Sequence, residues 1–209
     1  MKPDHELDNA LRAVDAATTS DQLLEATARL VRCRQLKAVP KLLEVIGYNN
    51  PALAGLAMGG LIALGKDAAP EILRNLDPQN YGARAWAVKA LAEIGDDCAL
   101  DTLIRAIDSD IGPSVRRAAA KGLGHLSFTS DPTQASKQRD KCLEALVRAC
   151  SDGEWVVRYA ACVSLEIRLA EGRPYADAIQ AIRRLTEPTE PVKVVRMRAI
   201  QALEGINAS

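Results

Sequence analysis

Apolar and small residues recur along this chain at helical spacing, and one register returns five times. The segments LAGLAMGGLIAL from Leu53, ARAWAVKALAEI from Ala83, VRRAAAKGLGHL from Val115, VRYAACVSLEIR from Val157 and VRMRAIQALEGI from Val195 start 30, 32, 42 and 38 residues apart. In each, the fifth residue is alanine: Ala57, Ala87, Ala119, Ala161 and Ala199. The eighth is small (Gly60, Ala90, Gly122, Ser164, Ala202) and the ninth is leucine (Leu61, Leu91, Leu123, Leu165, Leu203). These offsets place all three on one helical face, where small side chains let neighbouring helices approach closely. A weaker copy precedes them, with Ala26 and Leu30 in phase.

A second helical stretch follows most of these segments, as in APEILRNL to Leu76, ALDTLIRAI to Ile107 and CLEALVRAC to Cys150. Turn-forming runs such as YNNP, DPQNYG, DSDIGP and EPTEP separate the pairs. No strand-like alternation occurs. The pattern predicts an all-α fold, an α-solenoid of about five to six helix pairs stabilised by burial between neighbours. A single domain over 1–209 is expected, with residues 1–19 as an N-terminal helical cap and repeats over 20–209. Two polar insertions interrupt the array, 127–138 and 168–177. Both are expected as loops or extended turns, and in solenoids such insertions gather on one face.

The period and pattern resemble HEAT repeats of the short type. In that family a turn acid and a helix arginine six residues apart form a ladder between repeats. Asp110–Arg116, Asp152–Arg158 and Glu190–Arg196 have this spacing. Arg84 departs from it, because Pro78 stands where the acid is expected and Asp77 is one position out of phase.

The 27 basic and 27 acidic residues cancel, so no general affinity for nucleic acid is expected. No apolar run reaches the length of a membrane span, and the polar N-terminus resembles neither a signal nor a transit peptide. A cytoplasmic location follows as an expectation. The five cysteines lack metal-type spacing, and most read as small buried hydrophobes in a reducing compartment. With two histidines in the chain, a metal site or a Ser-His-Asp triad has almost no raw material. The glycines of GLAMGG read as packing residues inside a helix, and Asp96-Asp97 as a helix cap.

What remains is surface chemistry. Aromatic residues are 3% of the chain, and both tryptophans stand beside an arginine at a helix start. In NYGARAWA, Trp86 falls at the edge of the packed face, on the side of Lys89 and Glu93. The ring either packs between repeats or flanks a groove able to stack a flat ligand. In DGEWVVRYAA, Asp152, Glu154, Trp155, Arg158 and Tyr159 meet at a turn–helix junction. Arginine forks for carboxylates, carboxylates for N–H groups and rings for stacking suit a planar, acidic, nitrogen-bearing molecule. They suit a protein hot spot equally well.

The segments YGARAWAVKALAEIGD, SVRRAAAKGLG and EWVVRYAACVSLE, in this order, closely resemble the F subunit of the heterodimeric E/F-type phycobilin lyases, from about residue 10 to about residue 205. The resemblance implies a heterodimer with an E-type subunit. Together the two attach phycocyanobilin, a linear tetrapyrrole substrate rather than a permanently bound cofactor, to a cysteine of the phycocyanin α subunit. The nucleophilic thiol then belongs to the acceptor. Residues implied in bilin binding are Tyr81, Arg84, Trp86, Arg116, Arg117, Trp155, Arg158 and Tyr159. Asp152 and Glu154 are the candidate proton donors by position. A related branch that also isomerises the bilin carries an Asn-His-Cys type motif near Tyr81–Arg84. Its absence here implies a plain lyase. Two other readings of the residues stay open: a non-catalytic HEAT adaptor for protein partners, and an α-solenoid nucleic-acid repair enzyme, which the zero net charge disfavours.

Overall fold

The computed structural model describes residues 3–76, 80–171 and 175–208. It divides into two compact units, Met1–Ile94 and Gly95–Ser209. The first holds α1 (Pro3–Ala16), α2 (Ser20–Arg32), α3 (Val39–Ile46), α4 (Pro51–Ala63), α5 (Ala68–Arg74) and α6 (Tyr81–Ile94). The second holds α7 (Leu100–Ser109), α8 (Pro113–His125), α9 (Pro132–Ala149), α10 (Trp155–Ala170), α11 (Ala176–Arg184) and α12 (Lys193–Ala208). No strand occurs among the described residues. Each unit is three helix pairs in two rows: α2, α4 and α6 pack side by side in the first unit, and α8, α10 and α12 in the second. The fold class is an α-solenoid, as the pattern predicted.

The repeated face forms the seam of this packing. Ala57, Ala87, Ala119, Ala161 and Ala199 are inaccessible to solvent, as are Leu61, Leu91, Leu123 and Leu165. Close approach is visible at two small residues. A Cβ on Gly60 would fall 2.6 Å from Cγ2 of Val31, and one on Gly124 would fall 2.4 Å from the Ser164 hydroxyl. That hydroxyl donates to the Ala120 carbonyl at 2.8 Å, tying α10 to α8. Of the GLAMGG glycines only Gly60 packs; Gly55 and Gly59 face open space, against expectation.

Local chemistry sets the helix limits. Asn50 accepts from the N–H groups of Ala52 and Leu53 ahead of Pro51, and Asn80 accepts from Ala83 N–H at 3.0 Å. Asp96 accepts from Cys98 N–H, the capping role expected of that acid. Gly65 and Gly95 follow α4 and α6 with φ of 71° and 68°, a left-handed conformation that favours glycine.

Both insertions differ from expectation. Residues 132–138 are the first turns of α9, not loop: Pro132 occupies the first helical turn, where no N–H is needed, and Asp131 accepts from Gln134 N–H at 2.7 Å. Arg168–Ala170 close α10 instead of starting a turn, and residues 172–174 lie outside the described set. Arg168 is buried. It donates to the carbonyls of Leu123 (2.8 Å) and Leu126 (2.6 Å), which satisfies the end of α8. Its guanidinium also lies 4.4 Å over the Phe128 ring, which Arg139 approaches at 5.4 Å. These contacts hold the segment after α8 in place.

Alanine at Gly124 is expected to destabilise the fold by about 1–3 kcal/mol through overpacking. Alanine at Gly55, a helical position with room for a methyl, is expected to stabilise it by up to about 1 kcal/mol. Opposite shifts in thermal melts of the two variants check both.

Candidate functional site

The ladder predicted from six-residue spacing is present in the second unit, and it is a two-part contact. Arg116 donates Nη1 to the backbone carbonyl of its own turn acid, Asp110, at 2.8 Å. Its Nε and Nη2 fork the Asp152 carboxylate of the next repeat at 2.7 and 3.0 Å. Arg158 repeats this, with Nη1 on the Asp152 carbonyl at 2.8 Å and a fork onto Glu190 at 2.6 and 2.7 Å. Each acid also caps its own turn: Asp110 accepts from Gly112 N–H, Asp152 from Glu154 N–H and Glu190 from Val192 N–H. Both pairs are largely shielded from water. The contact therefore fixes turn, helix start and neighbouring repeat at once.

This geometry sorts the predicted residues. Burial alone would raise the Asp152 carboxyl, but the Arg116 fork and the Glu154 N–H outweigh it and hold it below the usual carboxylate range. The Arg158 fork does the same for Glu190. Asp152 is therefore a fixed anion, and the forks of Arg116 and Arg158 are occupied by protein carboxylates. Glu154 differs. It stands at the N-cap of α10 without a side-chain cap bond, and it is exposed. Trp155, the first residue of α10, is 43% exposed. Tyr159 lies one turn further on and is half-buried, while Arg117, its counterpart on α8, is exposed.

In the first unit Trp86 is half-buried, with Lys89 Nζ 4.8 Å over its ring. Its place at the edge of the packed face agrees with the sequence. Arg84 is half-buried and engaged in a contact of its own. The Tyr81 side chain lies outside the described set. The NYGARAWA segment also borders a cavity of about 340 Å³ lined by Glu44, Gly47, Tyr48, Asn80 and Ala83 among others. Tyr48 donates to Glu44, which also accepts from Lys41, and Lys41 bridges to Asp15 at 2.7 Å. Sequence reading missed this cluster because its members come from α1, α3 and the turn after α3, none of which carries a marked motif. A second cavity, about 490 Å³, opens between the starts of α7 and α9 and contains none of the predicted residues.

None of the five thiols is poised as a nucleophile. Burial pushes Cys142 up to about 11 and Cys162 to about 12, and raises Cys150 further. Cys98 is exposed, yet local desolvation and Asp96 raise it to about 12. Burial and Glu6 raise Cys33.

Paired helices in register, a seam of small residues and an arginine–carboxylate ladder define a HEAT-repeat α-solenoid, and the HEAT repeats family matches residues 70–137 and 113–204. Within that class the chain is 44% identical over 205 residues to the bilin biosynthesis protein RpcF of Synechococcus sp. (strain WH8020), covering 97% of each. It is 42% identical over 176 residues to the phycocyanin alpha phycocyanobilin lyase CpcF of Synechocystis sp. (strain ATCC 27184 / PCC 6803 / Kazusa), covering 84% of this chain and 82% of that one. The solved complex of CpcE and CpcF of phycocyanin lyase from Nostoc sp. PCC7120 contains a similar fold, with a TM-score of 0.75 at 39% identity over 81% of this chain and 99% of that one. The chain belongs to the F-subunit family of the phycobilin lyases.

Replacing Asp152 with Asn leaves Arg116 with half a partner in a shielded site. A loss of about 3 kcal/mol is expected, roughly 6–12 °C in Tm. Because Asp152 and Glu190 titrate below their unfolded values, their contribution is complete above the ordinary carboxylate range. It is lost as pH falls through the depressed values. Melts of wild type and Asp152→Asn should therefore converge in acid.

Proposed function

We propose that this chain is the F subunit of a phycocyanobilin lyase that works with an E-type subunit on the phycocyanin α subunit. The relationship to a bilin biosynthesis protein along 97% of both chains carries this reading. The site supports it chemically. Addition of the acceptor thiol to the ring-A ethylidene forms one C–S bond, consumes one C=C π bond and delivers a proton to the bilin. Nothing is oxidised or reduced, and no group leaves. A protein serving this step needs no nucleophile, only orientation, shielding and a proton source.

Trp155 and Tyr159 supply rings for the tetrapyrrole plane, and Arg117 an exposed guanidinium for a propionate. Glu154, exposed and without a side-chain cap bond, is the candidate proton donor, because Asp152 is held as an anion in the Arg116 fork. Arg116 and Arg158 then act by positioning the turn. Within the first unit, Trp86, Arg84 and Tyr81 are candidates for bilin contacts of their own. The bilin passes through as substrate and is not retained as a cofactor. No single helix among the described residues is long and apolar enough to cross a membrane. We place the reaction in the cytoplasm, where an acceptor thiol stays reduced.

Co-expression with the E subunit, a bilin source and apo-phycocyanin α subunit tests the function, read as covalent bilin fluorescence on the denatured acceptor. Unchanged attachment when this chain is omitted would sink it. Trp155→Ala is expected to lower transfer about tenfold, the loss of one stacking contact, with Tm nearly unchanged. Glu154→Gln should lower transfer without altering Tm. A melting loss in proportion to activity would return Trp155 to a packing role.

A further inference from the structure

Each of α8, α10 and α12 carries a row of residues spaced one turn apart: Arg116–Ala120–Gly124, Arg158–Cys162–Glu166 and Arg196–Ile200–Glu204. The first two rows are covered by the next repeat. Arg116 forks Asp152, Ala120 is fully buried under Ser164, and Gly124 lies against the same serine. Arg158 forks Glu190, Cys162 is fully buried, and Glu166 pairs with Arg198 of α12.

On α12 the row is open. Arg196 donates Nη1 to the Glu190 carbonyl, as its counterparts do on their own turns. Among the described residues no carboxylate takes its remaining edge. Ile200 is 39% exposed where Ala120 and Cys162 are 0% exposed. Glu204 is exposed and has no ion pair among the described residues. A solenoid face left to solvent ordinarily carries polar residues. This one keeps an aliphatic side chain at the position that is dry in both preceding repeats, flanked by a cation and an anion in the same order as on α10.

We propose that this face is the docking surface for a helical repeat of the E-type partner, so that the ladder continues from one subunit into the other. The partner chemistry is specified position by position. A turn Asp or Glu enters the Arg196 fork, a small or apolar residue covers Ile200, and a basic residue meets Glu204. A second copy of this chain fits less well. In the register of Ala26 and Leu30, its ladder-acid position is Ala17 and its arginine position Leu23, so stacking end to end offers Arg196 no carboxylate. The inference rests on the reading of this chain as one half of an E/F pair.

The test is the Kd of this chain for the E-type subunit of the same organism, by calorimetry, with bilin transfer assayed in parallel. Arg196→Glu and Ile200→Glu should each weaken the pair at least tenfold, and Ile200→Glu, at a position exposed in the isolated chain, should do so with its melting unchanged. Arg196→Gln, which removes charge without reversing it, should fall between. If the wild-type pair binds and transfers bilin but both reversals stay within twofold of wild type, the surface is wrong and the lyase reading survives. If the wild-type chains do not bind, both fail. Self-association of this chain that Ile200→Glu abolishes would put a second copy on the face and overturn the proposal. An equal loss from Leu24→Glu, at an exposed leucine of α2, would overturn its specificity.

Discussion

The contact on which the second unit depends is an arginine that reads two repeats at once. One nitrogen of Arg116 or Arg158 holds the backbone of its own turn while the other edge of the fork holds the carboxylate of the next. Small-residue packing alone would let neighbouring helices slide, since alanine and glycine faces offer little shape to lock against. A bidentate pair fixes both distance and direction. It is shielded enough to matter and satisfied enough not to cost.

The ladder was legible because it has a spacing, and the seam because it has a period. Ala57, Ala87, Ala119, Ala161 and Ala199 could be named before any coordinates, since a repeat forces the same residue into the same environment. Features that belong to one repeat were harder to see. Pro132 reads as a breaker in sequence but as a first-turn helix residue once Asp131 is seen to cap it. Gly55 and Gly59 share a segment with Gly60, yet only Gly60 meets another helix. Arg168 looks like a charge in a polar insertion. Its burial depends on the end of α8 needing donors, which one-dimensional spacing does not reveal.

The same distinction divides the candidate site. Sequence placed Asp152, Glu154, Trp155, Arg158 and Tyr159 together, and they do share one turn–helix junction. It could not separate those that build the junction from those presented by it. Asp152 and Arg158 are consumed in construction, whereas Glu154 and Trp155, between them in the chain, are exposed. A rigid base with an unencumbered edge is what orientation catalysis requires, because positional error in the scaffold is paid directly in rate.

The buried thiols of Cys142, Cys150 and Cys162 acquire a further meaning in a protein that handles a bilin. An ethylidene able to accept one protein's cysteine can accept any thiolate it meets. A handler rich in reactive thiolates would be alkylated by its own cargo and removed from circulation after one encounter. Burial keeps Cys142, Cys150 and Cys162 out of contact with such a cargo, so for a lyase subunit what the fold hides counts beside what it presents.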